Sequence, residues 1–202
     1  MNRHILAISG GGFSEEQHAA IDQYLIRLTQ KDSSVKIAFI ATASNDNEHY
    51  IEKFHTTFQQ HNTIHITQKD FHNPNIQNII NEQDILYVGG GNTKYMLDCW
   101  KATGFNKVLK NAYAQGVILA GVSAGAMCWF EHCYSEVDGR YIQFEGLGLL
   151  KGAFCPHYQE LVRRESFDKW AQTNGITPLY PLMDPENIHF TNEKCVMKLI
   201  SY

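Results

Sequence analysis

The sequence lacks a long apolar run and a recognisable targeting segment. No stretch approaches the roughly 18 consecutive apolar residues that a membrane-spanning helix requires. The opening residues, MNRHILAISGGG, carry a single Arg or Lys and leave no room for the parts of a signal peptide. We therefore expect a soluble protein, located in the cytoplasm, that has no membrane partner.

Clustered positive charge is also missing. The chain has 17 Lys and Arg against 21 Asp and Glu, a formal charge of −4, and the basic residues are scattered. Because a nucleic-acid-binding surface requires a basic patch, nucleic acid is not expected as a partner. The five cysteines show no CxxC spacing, which argues against a disulfide framework and a structural zinc site. We expect reduced thiols and no bound metal.

What the sequence does have is a regular alternation of short apolar runs and helical patterns. Its 202 residues are 44% hydrophobic, enough for one large core, and no linker or repeat interrupts them, so residues 1–202 are predicted to form a single domain. Ser14 and Gln17 have the spacing of a capping box for the first helix. Strands are predicted at residues 4–9, 36–41, 63–67, 84–88 and 117–120. This alternation predicts an α/β fold with a mostly parallel sheet and flanking helices.

The periodicity fails from residue 131 to residue 150, where we expect hairpins or loops near the functional site. A strand at residues 153–155 and a helix at residues 161–173 follow. The tail, residues 179–200, has the pattern of short strands separated by turns.

The motif GVSAG at residues 121–125 is the most informative feature. A serine between two glycines, where a strand turns into a helix, occupies a sharp elbow that exposes its hydroxyl. The Ala124 amide would then lie at a helix N-terminus, where it can stabilise developing negative charge. The alternative is an ordinary helix N-cap serine. The position between VILA and an apolar helix expected to reach Phe130 favours a nucleophile at Ser123.

A serine nucleophile needs a base, and the base needs an acid that orients it. Among ten histidines, His157 stands out because it follows a predicted strand and Pro156, which places it on a loop at the carboxyl edge of the sheet. Asp184 and Glu186, within PLMDPENIHF, are the candidate acids downstream. Spacing does not choose between them, and either could be an ordinary turn residue.

The segment GGGNT begins with Gly89–Gly91 at a predicted strand end. Its bare backbone can offer amides to an oxyanion. A phosphate is the other anion that such a loop can hold, but the lysine of a Walker loop and the spacing of a dinucleotide-binding fingerprint are both missing. The earlier triplet, Gly10–Gly12, has the simpler use of a tight turn, and we assign it no catalytic role.

GGGNT, GVSAGAM and a Pro-His pair after a strand, in this order and spacing, resemble the peptidase E family of serine peptidases. That family includes the aspartyl dipeptidases and, more distantly, cyanophycinase. The resemblance covers most of the chain and implies a class I glutamine amidotransferase-like fold. It implies a triad in the order Ser, His, then Asp or Glu, with no cofactor. Since α/β-hydrolases place the acid before the histidine, this order argues against a lipase.

By position, the resemblance implies that Ser123 is the nucleophile and His157 the general base. The amides of Ala124 and of a glycine in GGGNT, for which we favour Gly90, match the oxyanion hole.

The acid of the family lies just before a strand of the type I-x-V-x-N-G, which Ile188, Phe190 and Asn192 resemble. Counting back without gaps gives Asp184, with Glu186 as the alternative.

The resemblance also implies a substrate class, dipeptides with an N-terminal aspartate, whose side chain would require a cation. Arg163 and Arg164 are candidates for that contact, and Gly91 and Asn92 are further candidates for binding substrate. Two other functions stay open: an amidotransferase-like amide hydrolase, and a non-catalytic or differently specific binding protein of the same fold. The expected partners are a small peptide substrate and, as the protein partner, a second copy of the chain in a homodimer.

Overall fold

The computed structural model describes residues 2–15 and 19–200. Its strands are β1 (His4–Ile8), β2 (Lys36–Ile40), β3 (Asn62–Ile66), β4 (Ile85–Val88), β5 (Ile118–Val122), β6 (Phe130–Val137), β7 (Arg140–Glu145), β8 (Leu150–Cys155), β9 (Leu179–Pro181), β10 (Glu186–Thr191) and β11 (Lys194–Ile200). Its helices are α1 (Ala19–Leu28), α2 (Glu48–Thr57), α3 (Ile76–Asn81), α4 (Thr93–Thr103), α5 (Phe105–Ala114), α6 (Ala124–Met127) and α7 (Leu161–Asn174).

The central sheet of the described residues has seven strands in the order β11-β10-β1-β5-β4-β2-β3. The five strands from β1 to β3 in that order are mutually parallel. At the other edge, β10 is antiparallel to both β1 and β11. The predicted α/β fold with a mostly parallel sheet and flanking helices is therefore confirmed.

Helices cover both faces of this sheet because its inner strands are apolar on both sides. Successive side chains of a strand point to opposite faces. In β2, Ala38 and Ile40 pack in one hydrophobic cluster with α3, α4 and α5, whereas Ile37 and Phe39 pack in another with α1 and α2. A run that is buried on both faces is typical of a parallel strand in an α/β protein.

A second, four-stranded sheet has the order β7-β6-β8-β9. The β6–β7 pair is the hairpin expected after residue 130, and its two-residue turn, Asp138 and Gly139, has positive φ angles of 51° and 77°. Asp-Gly suits this turn because glycine and aspartate tolerate positive φ. The strand predicted at residues 153–155 is the end of β8. It belongs to this second sheet, so His157 does not leave the central sheet as the sequence suggested.

The helices expected from the sequence differ from those of the structure in two places. The helix after the GVSAG motif ends at Met127, and Phe130 instead opens β6. Helix α5 carries no prediction, although its buried residues Phe105, Leu109 and Ala112 have helical spacing. The capping box expected at Ser14 depends on Gln17, which lies outside the described residues.

Several chain segments meet at the carboxyl edge of the parallel strands. Ser9, Gly89 and Ser123 directly follow β1, β4 and β5. Since β10 runs antiparallel to β1, with Asn187 opposite Ile8, the residues before β10 reach the same edge. Ligands of open α/β sheets bind at this edge, so the fold brings the candidate residues to the expected place.

Candidate active site

Ser123 lies in the turn between β5 and α6, with φ 53° and ψ −109°. This conformation is uncommon for a residue other than glycine and is typical of a strained, functional turn. The flanking glycines are required by close backbone contacts. A Cβ atom on Gly121 would lie 2.1 Å from the Gly125 oxygen, and one on Gly125 would lie 2.2 Å from the Val88 oxygen. The elbow can therefore form only with glycine at both positions.

His157 follows β8 and its ring faces the elbow. Its Nε2 atom lies 2.9 Å from the Ser123 Oγ atom. The backbone is in the left-handed region, with φ 54°, and its N–H donates to the Ser9 Oγ atom at 2.9 Å. The Ser9 hydroxyl in turn donates to the Leu182 oxygen at 2.9 Å. The end of β1 thus fixes the His157 loop against the segment that leads to β10.

Asp184 lies on the other side of the imidazole, with its Oδ2 atom 2.7 Å from His157 Nδ1. An ionised carboxylate can only accept, so Nδ1 carries the proton and Nε2 is left to accept from the Ser123 hydroxyl. Burial alone would raise the pKa of Asp184, but hydrogen bonds from His157 and Gln159 outweigh it and hold the pKa below its usual range. The side chains of Asp184 and His157 are 25% and 23% exposed, so both remain partly accessible to solvent.

The alternative acid, Glu186, has other partners. Its Oε2 atom accepts from the Met183 backbone N–H at 2.7 Å, and its Oε1 atom lies 2.6 Å from Lys198 Nζ on β11. Burial acts to raise the pKa of Glu186, but the hydrogen bonds from Lys198 and from the Met183 amide outweigh burial, so the pKa is lowered. The structure brings Asp184, not Glu186, to His157.

The glycine segment after β4 lies beside the elbow. A Cβ atom on Gly90 would be 3.6 Å from the Ser123 Cβ atom, an ordinary contact distance. The Gly90 N–H donates to the Tyr50 hydroxyl at 3.3 Å, which is long for such a bond. Gly91 has φ +138°, and a Cβ atom there would lie 2.1 Å from the Ala43 oxygen. Ala124 is the first residue of α6, so its N–H has no acceptor within the helix.

The candidate substrate-binding residues Asn92, Arg163 and Arg164 differ in their hydrogen-bond partners. Asn92 is the N-cap of α4, where its Oδ1 atom accepts from the Tyr95 N–H at 2.9 Å. Arg163 donates from Nε to Glu160 Oε2 at 3.0 Å and is 19% exposed. Burial acts to lower the pKa of Arg163, but the hydrogen bond with Glu160 outweighs burial, so the pKa is raised. Within the described chain, the Arg164 guanidinium has no carboxylate within 4.0 Å.

Three residues that contact the candidate triad were not found from the sequence. Ser9 and Gln159 bind the His157 and Asp184 segments, and Gly10 leaves room for the Asp184 carboxylate, because a Cβ there would lie 2.3 Å from Oδ1. Gly10 belongs to the triplet that we read only as a tight turn.

The described residues contain no group of three His, Cys, Asp or Glu side chains placed to hold a metal ion. Among the described helices, none is long and apolar enough to cross a membrane.

Comparison with known proteins identifies the family of the chain. The family model described as Peptidase family S51 matches residues 5–198. The uncharacterized peptidase YgaJ of Bacillus subtilis (strain 168) is 35% identical over 196 residues, which cover 95% of this chain and 85% of the relative. Peptidase E of Nostoc sp. (strain PCC 7120 / SAG 25.82 / UTEX 2576) is 26% identical over 171 residues, 80% of this chain and 68% of the relative.

A solved structure supports the fold. The crystal structure of a peptidase from an acI-B1 Actinobacterium has a TM-score of 0.72 and 18% identity, and the alignment covers 100% of this chain and 95% of that chain. The expected resemblance to peptidase E and the expectation of a peptidase are both confirmed. Because the family match extends over nearly the whole sequence and a relative is 35% identical along it, the chain belongs to Peptidase family S51.

Proposed function

We propose that this protein is a serine peptidase that cleaves small peptides with Ser123, His157 and Asp184 as its catalytic triad. The observation that carries the proposal is one continuous hydrogen-bonded path. It runs from Ser123 Oγ to His157 Nε2 at 2.9 Å, and from His157 Nδ1 to Asp184 Oδ2 at 2.7 Å. These distances lie within the range in which a base can take a proton from a nucleophile.

In the proposed reaction, the Ser123 oxygen attacks the peptide carbonyl carbon while His157 takes the hydroxyl proton. The tetrahedral intermediate collapses as His157 passes that proton to the leaving amine, and the C–N bond breaks. Water then attacks the acyl-enzyme, again losing its proton to His157, which returns it to Ser123 as the product carboxylate leaves. Asp184 keeps the imidazole in one tautomer and stabilises its positive charge throughout.

The negative charge on the carbonyl oxygen requires amide donors. The Ala124 N–H, at the start of α6, is one proposed donor, and the Gly90 N–H beside Ser123 is the other. Gly90 donates at present to the neutral Tyr50 hydroxyl over 3.3 Å. An anionic oxygen is a stronger acceptor than a neutral hydroxyl, so it can displace Tyr50 from this amide during the reaction.

The proposed substrates are dipeptides with an N-terminal aspartate. The similarity to peptidase E supports this class, and a substrate carboxylate needs a cation. Arg163 already binds Glu160, whereas Arg164 has no carboxylate partner among the described residues. Arg164 is therefore the better candidate to bind the substrate side chain.

The test uses a library of dipeptides X-Leu that vary at the N-terminal residue X. The rate of hydrolysis of each dipeptide is measured with the parent protein, Ser123→Ala and Ser34→Ala. Ser34 is exposed and serves as the matched control. We expect Asp-Leu to be cleaved best and Ser123→Ala to lose turnover by about three orders of magnitude or more. A Ser123→Ala protein as active as the parent would contradict the mechanism. Equal cleavage of Asp-Leu and Asn-Leu would contradict only the substrate class.

A serine-directed phosphonate provides a second readout that needs no known substrate. We expect it to label the parent once and to fail with Ser123→Ala and with His157→Ala, because only the activated hydroxyl attacks phosphorus quickly.

A further inference from the structure

The Asp184 carboxylate has a second donor besides His157. The Gln159 side chain donates from Nε2 to Asp184 Oδ2 at 2.8 Å, so two donors converge on one carboxylate oxygen. The same Gln159 side chain accepts, through Oε1, from the Asp184 backbone N–H at 3.1 Å. Since the amide nitrogen can only donate and the amide oxygen can only accept, this reciprocal pair fixes which way the Gln159 amide points.

The reciprocal contact holds both parts of Asp184 at once. The bond to Oε1 fixes the backbone at residue 184, and the bond from Nε2 fixes the rotation of its carboxyl group. The contact joins two segments that are 25 residues apart in the chain, the loop that carries His157 and the loop before β10. Without it, the Asp184 side chain, which is 25% exposed, could turn toward solvent.

We propose that Gln159 is a positioning residue, which aims the Asp184 carboxylate at His157 by gripping both its side chain and its backbone. This inference rests on the proposed function, because it gives Gln159 a role through the triad acid. Gln159 does not touch the hydroxyl that reacts. Its removal is therefore expected to slow the chemical step and to leave substrate binding nearly unchanged.

The first experiment compares Gln159→Leu, which keeps the size and loses both hydrogen bonds, with Gln172→Leu, an exposed glutamine on α7. With Asp-Leu as substrate we expect kcat of Gln159→Leu to fall about tenfold, with KM within about twofold, because the lost hydrogen bond involves a charged group but is partly exposed. Gln172→Leu should match the parent. A Gln159→Leu protein with parental kcat would overturn the inference, provided that Ser123→Ala is inactive; an active Ser123→Ala would instead overturn the proposed function.

A structural effect is separated from a positioning effect by repeating Gln159→Leu in the Asp184→Asn background. If Gln159 acts through Asp184, the second substitution should change kcat by less than about twofold. A further tenfold loss in that background would contradict the proposed role. Thermal unfolding of each variant checks that it is folded.

The pH profile gives a third readout, which general destabilisation would not move. Gln159→Glu keeps the acceptor and replaces the donor with a second carboxylate beside Asp184. Like charges disfavour ionisation, so the acid limb of kcat/KM should move to higher pH by about half a unit or more. An unchanged acid limb in Gln159→Glu would mean that residue 159 does not face the triad acid in solution.

Discussion

Ser123 and the glycine segment directly follow β5 and β4, two central strands of the parallel sheet. His157 and Asp184 instead lie on loops that follow β8 and β9 of the second sheet. On the Ser123 side, backbone packs against backbone, and a Cβ atom at Gly125 would lie 2.2 Å from a carbonyl oxygen of β4. On the His157 side, the orientations of the His157 and Asp184 side chains, which are about a quarter exposed, depend on hydrogen bonds between side chains.

The difference implies that the two halves fail in different ways. Backbone atoms of a central strand cannot move without disrupting the sheet, so substitutions that create a collision on the Ser123 side should destabilise the fold. Side chains on loops can turn aside, so substitutions on the His157 side should lower the rate of peptide hydrolysis and leave the fold intact.

The largest effect is expected for Asp184→Asn compared with Glu186→Gln. Asparagine has nearly the same shape, but it can present its NH₂ group to Nδ1 and leave the imidazole in the wrong tautomer. We expect kcat to fall by about 10⁴-fold, with only a modest loss of thermal stability from removing the ionised carboxylate. Glu186→Gln should stay within about threefold of the parent, since that carboxylate binds Lys198. Equal losses in the two variants would contradict the assignment of Asp184. Steady-state kinetics with Asp-Leu make the measurement.

The second prediction concerns the Ser123 side. Gly125→Ala should lower the free energy of unfolding by about 3 kcal/mol or more, because the new methyl group collides with the Val88 oxygen on β4. Gly90→Ala is the matched control for stability, since its Cβ would meet Ser123 only at 3.6 Å. Denaturant unfolding of both variants measures the difference. If Gly125→Ala were as stable as Gly90→Ala, the backbone at the elbow would have to be less rigid than the structure indicates.

The uneven success of prediction from sequence follows from the same contrast. The elbow is local, because five consecutive residues specify a strand end, a turn and a helix start, so Ser123 and its glycines could be found by spacing. Ser9 contacts His157 across 148 residues, and no local pattern reports a contact of that kind. The second sheet was missed because pairing between β6, β8 and β9 also depends on non-local contacts. The family resemblance, not periodicity, favoured Asp184 over Glu186.

A third prediction contrasts two acids with opposite shifts. Asp22, on α1, is 4% exposed, and burial raises its pKa to about 7, although the nearby Tyr87 hydroxyl and Phe13 backbone amide oppose the shift. Since the folded state holds a proton that the unfolded chain loses near pH 4, stability should fall as pH rises from about 4 to about 7. Asp22→Asn removes this dependence.

We expect Asp22→Asn to be more stable than the parent by about 2–4 kcal/mol at pH 8, and the difference to vanish near pH 4. The pH dependence of stability due to Asp184 has the opposite sign. Its lowered pKa adds stability that is present above about pH 4 and is lost as pH falls below that value. Denaturant unfolding of the parent, Asp22→Asn and Asp184→Asn from about pH 2.5 to about pH 8 measures both. A stability gain in Asp22→Asn that does not vary with pH would show that titration of residue 22 is not its cause.

The smallest effect on stability, and the sharpest contrast with Gly125, is expected for Gly10→Ala. Its Cβ would lie 2.3 Å from Asp184 Oδ1, a collision as close as that at Gly125, but here the neighbour is a side chain on a loop. Asp184 can turn aside, so the free energy of unfolding should change by less than about 1 kcal/mol. A displaced carboxylate no longer orients His157, and kcat should fall by about 10- to 100-fold. In the Asp184→Asn background, Gly10→Ala should cost nothing further, because the displaced group is already neutral. Equal destabilisation by Gly10→Ala and Gly125→Ala would remove the distinction between a rigid and a yielding half of the site.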